Sequence, residues 1–211
     1  MDVIPAEPLA LKEVRNSDLI RPSKFAHCVI RTRKFDELLW WYKTTLNATA
    51  THEAKNVAFL TWDEEHHRVA LVGNPDLPLK ERGRTGYDHV AFAYSSLTTL
   101  LLNWERLKNV GIEPYWTVNH GPTCSLYYMD PDQNKIEFQA DNYETVEELF
   151  AYFATPEYAE NTTGVDFDPD DVLRRLRAGE PEGNFQRRPR SGPRDPSTVP
   201  SGYEQFDLGK A

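Results

Sequence analysis

Apolar and polar positions alternate in short runs through the middle of this chain, and the runs come twice in the same order. The first copy opens with an apolar, β-prone segment over 25–32 around Cys28-Val29-Ile30. Phe35 to Leu46 follows, with Leu38, Leu39, Trp41, Tyr42 and Leu46 spaced for one face of a helix. Three short strands are predicted next, over about 48–54, 56–62 and 66–72. The second copy begins with a strand over 88–94 (Val90-Ala91-Phe92-Ala93). Leu97, Leu100, Leu101, Trp104, Leu107 and Val110 then recur at helical spacing, and strands are expected near 113–118, 123–129 and 134–140. Asp130-Pro131-Asp132-Gln133-Asn134 is the turn between the last two. An aromatic residue stands two places before a histidine at the head of each copy, in Phe25-Ala26-His27 and Tyr87-Asp88-His89. The histidines are 62 positions apart, 89 less 27, and that offset also carries Phe35 onto Leu97 and Leu39 onto Leu101. The predicted fold class is therefore α+β: two tandem βαβββ modules, about 25–74 and 87–142. They should pack as one domain over 23–143, because neither sheet can bury a face alone.

Outside the repeat, residues 1–22 read as an N-terminal arm and 73–86 as a polar connector. A helical extension is expected over 144–180. One part, 142–160, is amphipathic through Val146, Leu149, Phe150 and Phe153, and another, 168–178, is built on Val172, Leu173 and Leu176. Asp168-Pro169-Asp170 suits the start of the latter. From Pro181 to Ala211, Pro, Arg, Ser and Gly dominate, which predicts an extended or disordered tail. Its Phe185, Tyr203 and Phe206 suit either an anchor to a partner subunit in a homo-oligomer or a free tail.

Charge and composition narrow the functional classes. With 24 basic against 33 acidic residues the formal net charge is −9, which argues against a nucleic-acid surface. No run approaches the roughly 18 apolar residues of a membrane span. Asp2, Pro5, Glu7 and Pro8 are unlike a secretory signal. Two cysteines, Cys28 and Cys124, fit reduced thiols better than a disulfide framework. A soluble, cytoplasmic protein is expected, in which the sequons at Asn47 and Asn161 carry little weight.

The candidate chemistry lies on the strands. His27 and His89 occupy equivalent places in the two copies, and Glu137 sits inside the last apolar run, Lys135-Ile136-Glu137-Phe138. Two imidazoles and one carboxylate on one face form an open metal site, with positions left for substrate and O2. The alternative is that each histidine only caps a strand and Glu137 faces solvent. Laying Arg68-Val69-Ala70-Leu71 on Lys135-Ile136-Glu137-Phe138 puts Ala70 opposite Glu137, so the fourth quarter of the site is small and apolar.

These residues carry a resemblance. From about Phe25 to Tyr143 the chain resembles the vicinal oxygen chelate superfamily (glyoxalase, bleomycin resistance and dioxygenase proteins), and within it the short type I extradiol catechol dioxygenases. The motifs are Asp63-Glu64-Glu65-His66-His67-Arg68-Val69-Ala70, Asn119-His120-Gly121-Pro122-Thr123-Cys124-Ser125-Leu126-Tyr127-Tyr128, and a DPxGNxxE-like ending, Asp130 to Glu137, with Gln133 where glycine is usual. The resemblance implies that His27, His89 and Glu137 hold Fe(II), with Mn(II) equally suited to the ligands. It makes His67 the acid–base residue, His120 a hydrogen-bonding partner of oxygen or substrate, and Tyr127 the group that binds a catecholate oxygen. Strand alternation counted back from Ala70 turns His66, not His67, to that face, so His67 requires a bulge or a different register, and His66 is held in reserve. Tyr128 should point away.

The implied reaction is cleavage of a catechol-type diol by O2, with His67 taking up a proton. Trp62, Tyr115, Trp116 and Phe138 are candidates for an aromatic pocket wall, with core packing as the alternative for each. Two other functions remain open: a metal-dependent isomerase or lyase of the same superfamily that acts without O2, and a protein that only binds a small molecule. The absence of a carboxylate at Ala70 disfavours the glyoxalase type.

Overall fold

The computed structural model describes residues 21–78, 80–81 and 85–200. In chain order the elements are β1 (Cys28–Thr32), α1 (Phe35–Thr45), β2 (Thr49–Ala54), β3 (Val57–Thr61) and β4 (Val69–Gly73). The second set is β5 (His89–Tyr94), α2 (Leu97–Lys108), β6 (Trp116–Asn119), β7 (Thr123–Met129) and β8 (Lys135–Asp141). Then come α3 (Val146–Phe153), α4 (Pro156–Glu160), β9 (Val165–Asp166), α5 (Pro169–Arg177) and α6 (Gly183–Gln186). The βαβββ order is present twice, as the repeat predicts.

Each module folds its four strands into one sheet with its first strand at an edge, β1-β4-β3-β2 and β5-β8-β7-β6, and β9 extends the second sheet beyond β6. The first strand of each module runs parallel to the last. Even-numbered residues of β1 and β5 (Cys28, Ile30, Phe92, Tyr94) turn to the core, where they meet Leu38, Trp41 and Tyr42 of α1 and Leu97, Leu101 and Trp104 of α2 in one apolar cluster. Arg106 of α2 closes over the end of α1, donating to the Thr44 carbonyl at 2.7 Å. Tyr42 reaches Asp130 at 3.1 Å. The odd-numbered residues, including His27 and His89, lie on the opposite face of each sheet.

Strand register supports the alignment of the two copies. Val29 pairs with Ala70 in the first sheet and its counterpart Ala91 with Glu137 in the second, so Ala70 does stand where the other module has the carboxylate. In the β7–β8 turn, Asp130 accepts from the backbone N–H groups of Asp132 and Asn134. Gln133 there takes φ +66°, a left-handed conformation that a glycine at this place would adopt without strain.

Three expectations change. Residues 66–68 do not belong to a strand, since β4 begins only at Val69. The helix expected over 142–160 is two helices, because Thr155 caps the second and Pro156 cannot continue the first. In α3, Val146 and Phe150 are exposed, and Phe153, also at the surface, packs its ring against Tyr158. Finally, the segment from Pro181 to Pro200 is not a free tail. Phe185 packs against the core, Arg188 is buried, and Val199 lies against Trp116 and Tyr127. Tyr203 and Phe206 lie outside the described residues, as does most of the N-terminal arm. Among the described residues no helix is long and apolar enough to cross a membrane.

Candidate active site

Two rows of side chains run across the sheets on the face away from the core. In the second sheet, register brings Ala91, Glu137, Tyr127 and Trp116 side by side. The equivalent row of the first sheet is Val29, Ala70, Phe59 and His52.

The second row is a buried polar network. Glu137 is only 5 % exposed. Its Oε2 lies 3.0 Å from His89 Nε2, and its Oε1 accepts from the Tyr127 hydroxyl at 2.9 Å. Burial alone would raise the Glu137 carboxyl, but hydrogen bonds from His89, Ser125 and Tyr127, with the nearby His89, outweigh it and hold it below the usual carboxylate range. The hydrogen bond to Glu137 raises the His89 imidazole, and although burial opposes this, Asp88 adds to it. Asp88 Oδ2 lies 2.8 Å from His89 Nδ1, and Lys135 holds the other Asp88 oxygen at 2.7 Å. An acceptor on Nδ1 fixes the ring so that Nε2 faces Glu137. That is the arrangement by which a carboxylate orients a metal-binding histidine.

Tyr127 is flanked by two further groups. Its ring stacks on Trp116 with centroids 5.2 Å apart, and its hydroxyl lies 2.9 Å from His120 Nε2. His120 Nδ1 in turn meets the Thr163 carbonyl. A carbonyl only accepts, so Nδ1 carries the hydrogen. Burial keeps the His120 imidazole below its ordinary pKa, despite the opposing Thr163 carbonyl and Glu137. In the neutral ring Nε2 is then an acceptor, and one phenol hydrogen on Tyr127 serves both Glu137 and His120.

The first module supplies a histidine group. His67 is buried, whereas the His66 side chain is 68 % exposed. The His67 ring stacks on Phe59 (4.6 Å between centroids, planes 17° apart) and lies 4.2 Å from the His27 ring. Because Phe59 stands in the outward row, His67 shares the face of His27. Residues 66–68 precede β4, so strand alternation does not govern which way His67 turns. Burial, and then the neighbouring His27 and His66, hold His67 below the ordinary histidine pKa. Arg68 secures this corner: it donates to the Phe25 carbonyl at 2.7 Å and to Asp63 at 2.9 Å, tying the chain before His27 to the 63–68 loop.

The sequence-predicted residues thus gather as two groups, His89, Glu137, Tyr127 and His120 on one sheet and His27 with His67 on the other. Among the described residues, no set of three or more His, Cys, Asp or Glu is gathered as it would be to hold a metal ion. Of the pocket-wall candidates, Trp116 and Tyr115 pack beside Tyr127, and Trp62 is half-exposed against Phe92. Phe138 is not a wall: it faces the core against Tyr94 and Tyr128, and Tyr128 points away from the site as expected. Asp88, Ser125, Thr163 and Asp166, which accepts from the Trp116 indole at 2.8 Å, were not singled out from sequence. Only Asp88, an acid beside a repeat-equivalent histidine, carried a signal there.

Comparisons with known proteins agree with this architecture. Residues 24–138 match the family described as the Glyoxalase/Bleomycin resistance protein/Dioxygenase superfamily. The chain is similar to biphenyl-2,3-diol 1,2-dioxygenase 2 of Rhodococcus globerulus, with 46 % identity over 75 % of this chain and 84 % of that protein. It is also similar to biphenyl-2,3-diol 1,2-dioxygenase 3 of the same organism, with 41 % identity over 78 % and 88 %. Among solved structures, a glyoxalase/bleomycin resistance protein/dioxygenase domain from Frankia sp. EAN1pec shares the fold, with a TM-score of 0.50, 20 % identity and coverage of 61 % of this chain and 99 % of that one.

Proposed function

We infer the activity from one premise: the chain belongs to the glyoxalase/bleomycin resistance protein/dioxygenase superfamily. It is an extradiol dioxygenase that opens the ring of an aromatic diol with O2, and biphenyl-2,3-diol is the first substrate to try. The observation that carries this reading is the buried row of Glu137, Tyr127 and His120 beside His89. It is a set of acceptors and one shared hydrogen, suited to receiving two vicinal hydroxyls.

The donor chemistry fits a divalent cation in two arms, since a buried carboxylate oxygen and an imidazole nitrogen already point at one another. His27, at the equivalent place in the first module, is the third arm in this reading. A non-haem metal, Fe(II) or Mn(II) on the same N,N,O donors, supplies a chelating centre for the diol oxygens and a path for electrons to O2. Asp88 keeps His89 Nε2 on the site side. Tyr127 keeps its bond to Glu137 while an arriving substrate hydroxyl donates to His120 Nε2, which gives each acceptor its own hydrogen. His67, neutral near pH 7, accepts a proton from the diol. In this reading His67 is the donor in the short contact between the Nδ1 atoms of His66 and His67, so its Nε2 carries no hydrogen and His66 orients the base. Ala70 leaves the fourth side open.

The test is to load the full chain with Fe(II) without oxygen, add a panel of catechols including biphenyl-2,3-diol, and admit O2. Oxygen uptake with a coloured ring-fission product is expected. Loaded protein that consumes no O2 with any diol would overturn the reading in favour of an isomerase, lyase or binding protein.

A further inference from the structure

Arg188 is the anomaly of the C-terminal segment. It lies in a stretch whose composition predicts disorder, yet it is only 5 % exposed. Its guanidinium donates to the carbonyls of Asn161, of Glu157 at 2.9 Å and of His120 at 3.2 Å, and it lies over the Tyr152 ring at 5.7 Å. A buried cation whose hydrogen bonds go to backbone carbonyls is expensive by desolvation, so its geometry needs a reason.

The carbonyls it joins define that reason. Asn161 is also 5 % exposed. Its side-chain oxygen accepts from the N–H groups of Thr163 (3.1 Å) and Gly164 (2.8 Å), and its amide donates to the Gly164 carbonyl and to Ser191. The 161–164 turn is thereby wound on one side chain and pinned from outside by Arg188. It lies hard against the end of β6: Gly164 has φ +120°, and a Cβ there would meet the Asn119 carbonyl at 2.5 Å and His120 Cα at 2.9 Å. The turn's product is one carbonyl, that of Thr163, aimed at His120 Nδ1.

We propose that Arg188 is a positioning residue: with Asn161 it pins the 161–164 turn so that the Thr163 carbonyl holds His120 as its Nδ1–H tautomer, with Nε2 bare toward Tyr127 and the substrate. Arg188 touches no reacting atom. It acts through a turn of the extension, which makes residues 157–188 part of the site instead of an appendage. The kinetic consequence rests on the dioxygenase reading above, whereas the tautomer does not.

The experiment has two readouts. Ring-nitrogen NMR of the metal-free full chain labelled with 15N-histidine, with His120 assigned from a His120→Gln spectrum, is expected to show a protonated Nδ1 and a bare Nε2 at neutral pH. Arg188→Gln should convert this to a mixture of tautomers. In the Fe(II)-loaded chain it should lower kcat by about tenfold, in the range of lost partners that orient a functional histidine, with KM little changed. Arg188→Lys, which keeps the charge and loses the fork, should fall between. A wild-type His120 that is protonated on Nε2 would overturn the proposal without any variant, which covers the case in which Arg188→Gln fails to fold. So would an Arg188→Gln spectrum identical to wild type. The spectrum is read without substrate, so its result stands apart from whether any diol is cleaved.

Discussion

The two rows that cross the sheets at equivalent register are chemically unlike. In the first module the row reads Val29, Ala70, Phe59 and His52, and in the second it reads Ala91, Glu137, Tyr127 and Trp116. The register is shared, but within these rows the buried carboxylate and phenol stand in the second module alone. A buried carboxylate and phenol are costly to leave without hydrogen-bond partners, and the second sheet supplies them for Glu137 and Tyr127. β9 extends it beyond β6. Asp166 of β9 accepts from the Trp116 indole at 2.8 Å and from Arg194 at 2.7 Å. Thr163 closes the chain of bonds at His120. The first row buries no carboxylate or phenol, and among the described residues its sheet ends at β2.

Making the rows alike should break the site. Ala70→Glu restores the missing carboxylate and closes the fourth quarter. The variant should keep its metal yet lose turnover altogether, as read by metal analysis beside oxygen uptake. His67→Ala removes the base while leaving the other module untouched. Metal should be retained, with turnover down on the order of 10²- to 10⁴-fold, and full activity would transfer the role to His66. Tyr127→Phe copies Phe59 into the second row. It leaves Glu137 and His120 each without the shared hydrogen, at a cost of about 1–3 kcal/mol, to be read as a fall in kcat/KM.

The smallest effect is one of pH, and it distinguishes the modules because His89 is raised while His67 is lowered. A raised His89 means that its pairing with Glu137 stabilises the metal-free chain fully below pH about 6.5. That contribution fades as pH climbs through the raised value. On the acid side, the Glu137 contribution is lost as pH falls through its depressed value. Metal needs the neutral imidazole. Across the rise, urea stability of the metal-free chain should therefore decline while metal affinity increases, and a chelator competition series should show the two trends crossing.

Much of this was legible in the residues. The 62-residue offset located both modules and put His27 and His89 at equivalent places in them. Aligning Ala70 with Glu137 found the asymmetry that register later bore out. What was hidden has physical causes. Strand counting cannot reach residues 66–68, which lie before β4, so it could not foresee that His67 is buried and His66 exposed. Thr163 acts through its backbone, which no side-chain pattern reports. Arg188 lies among Pro, Ser and Gly, whose abundance reads as disorder. Composition cannot register that one guanidinium finds three carbonyls.

The central claim is that one metal site draws on both modules, two arms from the second and one from the first. Metal retained after anaerobic dialysis tests it most directly, with wild type beside His27→Ala, His89→Ala and Glu137→Ala. A full complement in wild type and loss in all three variants is the predicted result. His27→Ala that keeps its metal as wild type does would contradict the account and confine the site to the second module.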